Sequence, residues 1–381
     1  AASDVYKRQI KASSSPFHDP VGVIRVRQAT VYIDSQALQY NLNRVKQLAP
    51  NAKIVSMVKA NAYGHGVKDC LAALSETDAF GVACLEEALE IRDLGFKQPI
   101  TLIEGVFSSD EMPTVIEQNI ECVVHQQQQV DWLIAHKTAY IAQKLKVWVK
   151  LNSGMNRLGF KVAEIIDVIN TLKAEGFTCV LAMHFANADA DHPLNEQQRA
   201  QFLHIKEACS PILASCCNSA AIFKWPELHF DFVRPGIMLY GASPFADKNA
   251  HDLDLKPVMT FTAEIIALNT IQAGEGVGYG SHFVANQETE LAIVSIGYGD
   301  GYPRAFSKQN YVAINGQAVA VVGRVAMDMI AIDVTGLNAK LGTKVELWGE
   351  NRLVDDVAEA NGTIGYELLC RLSNRPIRKQ I

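Results

Sequence analysis

The chain has 381 residues, 49% of them hydrophobic and 20% charged, a balance that belongs to a globular protein with ample core and, at this length, to two domains rather than one. Its 35 Lys and Arg against 41 Asp and Glu leave a formal net charge of -6 with no long run of one sign, which argues against a binder of nucleic-acid backbones or of membrane surfaces. No apolar stretch approaches the roughly 18 residues that a spanning helix needs, and no signal-peptide segment opens the chain, so the expected location is cytoplasmic.

Residues 1–26, with Ser13-Ser14-Ser15, two prolines and no apolar period, read as a disordered or non-native leader. From Thr30 the pattern sharpens. Thr30-Val31-Tyr32-Ile33 is a strand-like run, and Asp34 or Ser35 can cap a helix whose Leu38, Leu42, Val45 and Leu48 share a face. Eight further strand-like runs begin near Lys53, Ala79, Pro99, Ile120, Leu145, Thr178, Leu213 and Asp231. One helical segment, such as 85–94 or 195–209, separates most of them, which is long enough for parallel pairing. Eight βα units over about 200 residues are the count and length of a closed (β/α)8 barrel of the TIM type, here assigned to residues 27–255. An open doubly wound sheet would also need a GxGxxG turn after its first strand, and none is present. Past Lys256 the runs 259–271, 290–296, 311–325 and 329–334 alternate and are β-branched. Asn315-Gly316, within the run 311–325, is a hairpin signal. With short helices at 355–360 and 366–372, residues 256–381 form a mostly β C-terminal domain. Of the eight cysteines, Cys70, Cys84, Cys122 and Cys179 sit in apolar runs and no CxxC occurs, so reduced core residues are expected. Adjacent Cys216 and Cys217 could bridge only with strain.

In a barrel of this kind the reactive groups lie on the loops that follow the strands. That rule selects Lys59, Arg157, His184, Asn218-Ser219 and Arg234-Pro235-Gly236-Ile237. A lysine at a strand end usually snorkels to solvent, and Ser219 reads equally well as an N-cap. Lys59, however, precedes a glycine-rich turn, and the loops after the seventh and eighth strands are the usual phosphate cradle of barrels. An amine and a phosphate cradle in one barrel mouth suggest pyridoxal phosphate. His184 with Asp189, Asp191 and His192 could be read as a metal cluster, but the spacing closes no ligand set and no metal is expected. Lys150 shares a strand face with Trp148, and its default reading is a solvated surface lysine.

Val58-Lys59-Ala60-Asn61-Ala62-Tyr63-Gly64-His65-Gly66, Gly154-Met155-Asn156-Arg157-Leu158-Gly159, Asn218-Ser219-Ala220, Arg234-Pro235-Gly236-Ile237-Met238-Leu239-Tyr240-Gly241, Gly297-Tyr298-Gly299-Asp300-Gly301-Tyr302 and Gly323-Arg324 through Met327-Asp328 occur in that order. Together they resemble the alanine racemase family over nearly the whole chain from Ala29. The resemblance implies a barrel plus β domain, pyridoxal 5'-phosphate as cofactor, alanine as substrate and a homodimer with shared active sites. It implies a two-base mechanism in which Lys59 holds the cofactor and serves D-alanine while Tyr298 serves L-alanine, with His184 or Arg234 supplying positive charge near Tyr298. By the same resemblance Arg234 faces the pyridine nitrogen, and Arg157 contacts the cofactor's phenolic oxygen and the substrate carboxylate. Tyr63, Ser219, Gly236 and Ile237 form the phosphate cradle, with His184 and Asn218 also at the cofactor. Met327 reaches the substrate, and Lys150 matches a position carbamylated in some members. Two positions depart from the pattern: Asn374 falls where members commonly place a phosphate-binding tyrosine, and Ala326 where some have cysteine. The resemblance implies an enzyme that supplies D-alanine for peptidoglycan or acts in alanine catabolism; a broader or serine-preferring racemase of the same family is the alternative that fits the same motifs. Single-barrel proteins that merely hold the cofactor lack the second domain.

Overall fold

The computed structural model describes residues 29–304 and 310–381; the leader assigned to residues 1–26 lies outside them. Thr30–Ile33 (β1) runs into the helix Ser35–Leu48, which Asp34 caps by accepting from the amides of Gln36 and Ala37 at 2.8 and 2.9 Å. Leu38, Leu42 and Val45 on that helix are buried, as the apolar spacing requires.

Eight parallel strands follow: Lys53–Met57 (β2), Ala79–Val82 (β3), Ile100–Leu102 (β4), Ile120–Val124 (β5), Lys146–Lys150 (β6), Thr178–Ala182 (β7), Leu213–Ser215 (β8) and Phe232–Val233 (β9). They are ordered β8-β7-β6-β5-β4-β3-β2-β9. Across the seam between the two ends Asp231 N–H donates to Ala214 O at 3.2 Å and Arg234 N–H to Cys217 O at 2.9 Å, so the sheet curls into a nearly closed barrel. Helices such as Leu85–Asp93, Val162–Ala174 and Pro193–Ala208 cover the strands, which are buried on both faces as parallel strands must be. Inside, Val55, Val123, Trp148, Val180 and Phe232 pack as one cluster. The indole N–H of Trp148 is satisfied by Glu121 Oε2 at 2.8 Å, and the other oxygen of this buried carboxylate takes Lys146 Nζ at 2.7 Å.

The second half is antiparallel. Met259–Ile271 (β10) pairs with Thr289–Val294, Lys344–Trp348 and β1, and the hairpin Tyr311–Ile314/Gln317–Val322 turns at Asn315-Gly316 with φ of 51° and 79°, the left-handed pair that a two-residue turn demands. One expectation needs correction. β1 was grouped with the barrel by the boundary at residue 27, yet it pairs antiparallel with β10 and parallel with the terminal strand Ile377–Gln380; it is a strand of the second sheet. No helix among the described residues is long and apolar enough to cross a membrane.

Candidate active site

At the carboxyl end of the barrel lies a cavity of about 310 Å³, and ten of the residues singled out in the sequence line it: Lys59, Tyr63, Lys150, Arg157, His184, Asn218, Ser219, Arg234, Gly236 and Ile237. The lining holds two lysines and two arginines but no Asp or Glu. Each group arrives by a different piece of local structure.

Lys59 opens a short turn after β2 in which Ala60, Asn61, Ala62 and Tyr63 all have φ of 52–53°. Left-handed backbone costs an L-residue about 1–2 kcal/mol, so four in succession persist only where the surroundings dictate them. Gly64 N–H closes the turn on Ala60 O at 2.9 Å, and Asn61 Oδ1 accepts from Val67 N–H at 2.8 Å. A Cβ at Gly64 would come within 1.9 Å of Leu369 O, so only glycine fits there. His65 is fully buried. Its Nδ1 lies 3.1 and 3.0 Å from the carbonyls of Ala62 and Tyr63; carbonyls only accept, so this nitrogen carries the hydrogen. Burial lowers the imidazole pKa to about 4. The Tyr63 ring stacks on Tyr240 with centroids 4.9 Å apart, and burial pushes its phenol up, keeping it a donor.

After β6 the loop to Phe160 is pinned by Asn152 N–H to Phe160 O at 2.9 Å and Phe160 N–H to Lys150 O at 2.8 Å, which holds Arg157 at its exposed tip. Lys150, read from sequence as a solvated lysine, is instead 8% exposed. Burial, followed by the charges of Arg234 and Arg157, lowers its pKa to about 8. The sequence assigned it to the face of Trp148 correctly; that face is the inside of the barrel.

His184, next after β7 and Met183, sits 3.5 Å from Asn218 Nδ2 through its Nε2. Burial and then the cations Arg234, Lys150 and Arg157 hold its pKa well below the ordinary value. Burial and these cations therefore favour the neutral imidazole. Arg234 is buried, donating to Met183 O at 2.6 Å and to Ser215 Oγ. Ser219 Oγ accepts from Gly236 N–H at 2.9 Å, and a Cβ at Gly236 would meet Tyr63 Oη at 2.4 Å.

The alternative metal reading dissolves locally: His192 Nδ1 caps Leu194 N–H at 3.1 Å and Asp191 pairs with Lys224 at 3.1 Å. Among the described residues no group of three or more His, Cys, Asp or Glu is arranged to hold a metal.

Tyr298 and Met327 are elsewhere. They adjoin each other, since Tyr298 N–H bonds Ala326 O at 3.1 Å and Gly299 N–H bonds Met327 O at 2.9 Å, but they stand exposed on the second domain and neither lines the cavity. Sequence reasoning missed Tyr366 and Cys370, which do line it; their i, i+4 spacing on the helix Gly365–Cys370 puts both on one face and was the available signal. Asn374 is exposed and outside the lining.

Comparison with known proteins bears on this geometry as a whole. Residues 33–244 match the family described as alanine racemase, N-terminal domain, and residues 258–380 match alanine racemase, C-terminal domain. An alanine racemase of Psychrobacter sp. is 48% identical over 93% of this chain and 100% of its own length. The structure of alanine racemase from Acinetobacter baumannii is 81% identical with a TM-score of 0.93, covering 93% of this chain and 100% of that one. The alanine racemase of Bartonella henselae, solved with covalently bound pyridoxal phosphate, is 30% identical with a TM-score of 0.83 over 93% of this chain and 100% of that one. A barrel mouth lined by cations without a carboxylate, followed by a β domain that both comparisons span, places this chain in the alanine racemase family, isomerases that interconvert the two enantiomers of alanine.

Proposed function

We propose that pyridoxal 5'-phosphate occupies the cavity and that L- and D-alanine are interconverted there by two proton-carrying groups, Lys59 of one subunit and Tyr298 of the other in a homodimer. The charge of the lining carries the cofactor reading: Lys59, Lys150, Arg157 and Arg234, with no acidic side chain, around about 310 Å³. Such a volume suits a small anionic ligand. The fit extends to detail. Ser219 Oγ is used as an acceptor by Gly236 N–H, which leaves its own proton to donate to a phosphate oxygen. Ile237 opens a 3-10 turn whose first amide has no partner within the turn. Tyr63 and Tyr366 are phenols kept protonated by burial, and Gly236 leaves room that a side chain would fill. With Asn218 these groups would hold the phosphate, and Arg234, fixed by Ser215 and Met183, would hold the ring nitrogen.

When bound, the cofactor supplies an electron sink that allows the α-proton of an amino acid to leave. Lys59 would hold its aldehyde carbon and, once released by the substrate amine, would carry the proton on the face used by D-alanine; Tyr298 would carry it on the other. Arg157 would bind the substrate carboxylate, joined by Met327 from the partner's second domain. His184, held neutral, contributes a hydrogen bond rather than a charge. Lys150 would be the carbamylated lysine, its carbamate pairing with Arg157. The exposure of Tyr298 and Met327 away from their own chain's cavity supports a shared site.

Borohydride treatment of the purified protein should fix the cofactor to the peptide containing Lys59, and Lys59→Ala should lose racemisation in both directions together with the visible absorbance. A label on any other lysine would overturn the assignment.

A further inference from the structure

The turn that presents Lys59 is braced at its far end by the bonds of Gly64, Asn61 and His65 described above. Its near end is held by a group with no part in the chemistry so far. Glu87, in the first turn of the helix Leu85–Asp93, accepts the Ala60 N–H at 2.7 Å through Oε1 and the Ala83 N–H at 2.8 Å through Oε2. Cys84 at the N-cap makes no side-chain cap bond, so this carboxylate serves the start of its own helix and the peptide after Lys59 at once. It thereby ties the loop after β2 to the loop after β3.

We infer that Glu87 is a positioning residue for racemisation, a clamp that sets the peptide plane from which Lys59 enters the cavity. The inference rests on the reading of Lys59 as the lysine that holds the cofactor. The amide of Ala60 and the carbonyl of Lys59 belong to one planar unit; fixing that N–H fixes the orientation of the carbonyl and, through it, the Cα from which the lysine side chain departs. Ala60 is also the first left-handed residue of the turn, the point where the backbone must leave its ordinary conformation. A charge-assisted bond at that point is stronger than a neutral one. The carboxylate touches the main chain beside Lys59 and does not line the cavity, so its influence on the reaction passes through the lysine.

Glu87→Gln keeps the shape but leaves one acceptor oxygen for two amides. In the cofactor-loaded variant we expect the amide of Ala60 to exchange with deuterium roughly tenfold faster than in the wild type, as follows from losing a hydrogen bond to a charged acceptor. We also expect kcat to fall roughly tenfold while KM for alanine stays within about twofold, because a slight displacement of a reacting group acts on the chemical step. The denaturation midpoint should fall by no more than the loss of that one bond accounts for. Glu87→Asp, which draws the carboxylate back by one methylene from the two amides, serves the same comparison if the glutamine variant does not fold. Faster exchange with unchanged kcat would make Glu87 a merely structural brace, and a common loss of kcat, substrate affinity and stability would show general loosening; either overturns the inference. Borohydride labelling of the wild type separates the two readings: a label away from Lys59 refutes the cofactor assignment, whereas a label on Lys59 with a silent Glu87→Gln refutes the clamp alone.

Discussion

Lys150 shows how one residue changes meaning with its surroundings. In water its amine would titrate near 10.5, and in the barrel it titrates near 8 because burial and the neighbouring guanidinium groups penalise the cation. The sign for stability follows. Between about 8 and 10.5 the unfolded chain binds more protons than the folded one, so stability rises with pH across that window, and the full penalty applies below it. The neutral amine is also the form that adds carbon dioxide, forming an N–C bond, releasing one proton and leaving a carbamate anion beside Arg157. Cofactor-free protein should therefore show a denaturant midpoint that climbs through the window. Bicarbonate added within the window, where the folded amine is neutral, should raise that midpoint further, and Lys150→Met should remove both effects. A midpoint indifferent to bicarbonate would count against a carbamate on this lysine. The lysine's strand face was legible in the sequence. Its burial was not, because alternation along one strand does not distinguish the inside of a barrel from its outside.

At the scale of an element, the left-handed turn 60–63 makes a pH prediction of the same sense in a more acidic window. Burial penalises the cation of His65 beneath that turn, and its pKa stands at about 4 against 6.5 for an exposed imidazole. A depressed folded value means that the contribution is present above about 6.5 and is lost as pH falls toward 4, since the unfolded chain takes the proton first. The stability of the wild type should decline over this interval, and His65→Gln, which carries no titrating ring, should decline less steeply in parallel denaturation curves. Equal slopes would mean that His65 does not link the turn to pH. Regular elements were largely readable: all eight barrel strands start within a residue or two of their expected positions, and Asn315-Gly316 turns its hairpin. The strained turn was not readable beyond its glycines, because in Ala60-Asn61-Ala62-Tyr63 only Asn61 favours positive φ. Tertiary partners impose it, Glu87 and Leu369 among them.

For the whole molecule, the decisive fact is that Tyr298 and Met327 stand exposed on the second domain while the cations collect in the barrel. If the site is completed by a second subunit, inactive Lys59→Ala and inactive Tyr298→Phe chains should complement each other. At equal mixing, roughly half of the dimers are mixed and each has one intact site of two, so activity near a quarter of the wild type is expected. Exchange of subunits without any return of activity would place both groups in one chain. The motif around Tyr298 singled it out in the sequence, yet no local pattern could assign it to the cavity of one subunit or the other.

β1 lies between β10 and the strand Ile377–Gln380, so the first of the described strands to be synthesised waits for the last of them. The barrel can curl up while synthesis is still under way, but its companion sheet stays one strand short, and β1 unpaired on that side, until the closing residues emerge. Severing the chain between the two halves would consequently not yield two self-contained pieces: the leading fragment would trail an orphaned strand, and the trailing fragment would have a gap between β10 and its final strand. The two halves are laced together by the opposite ends of a single thread.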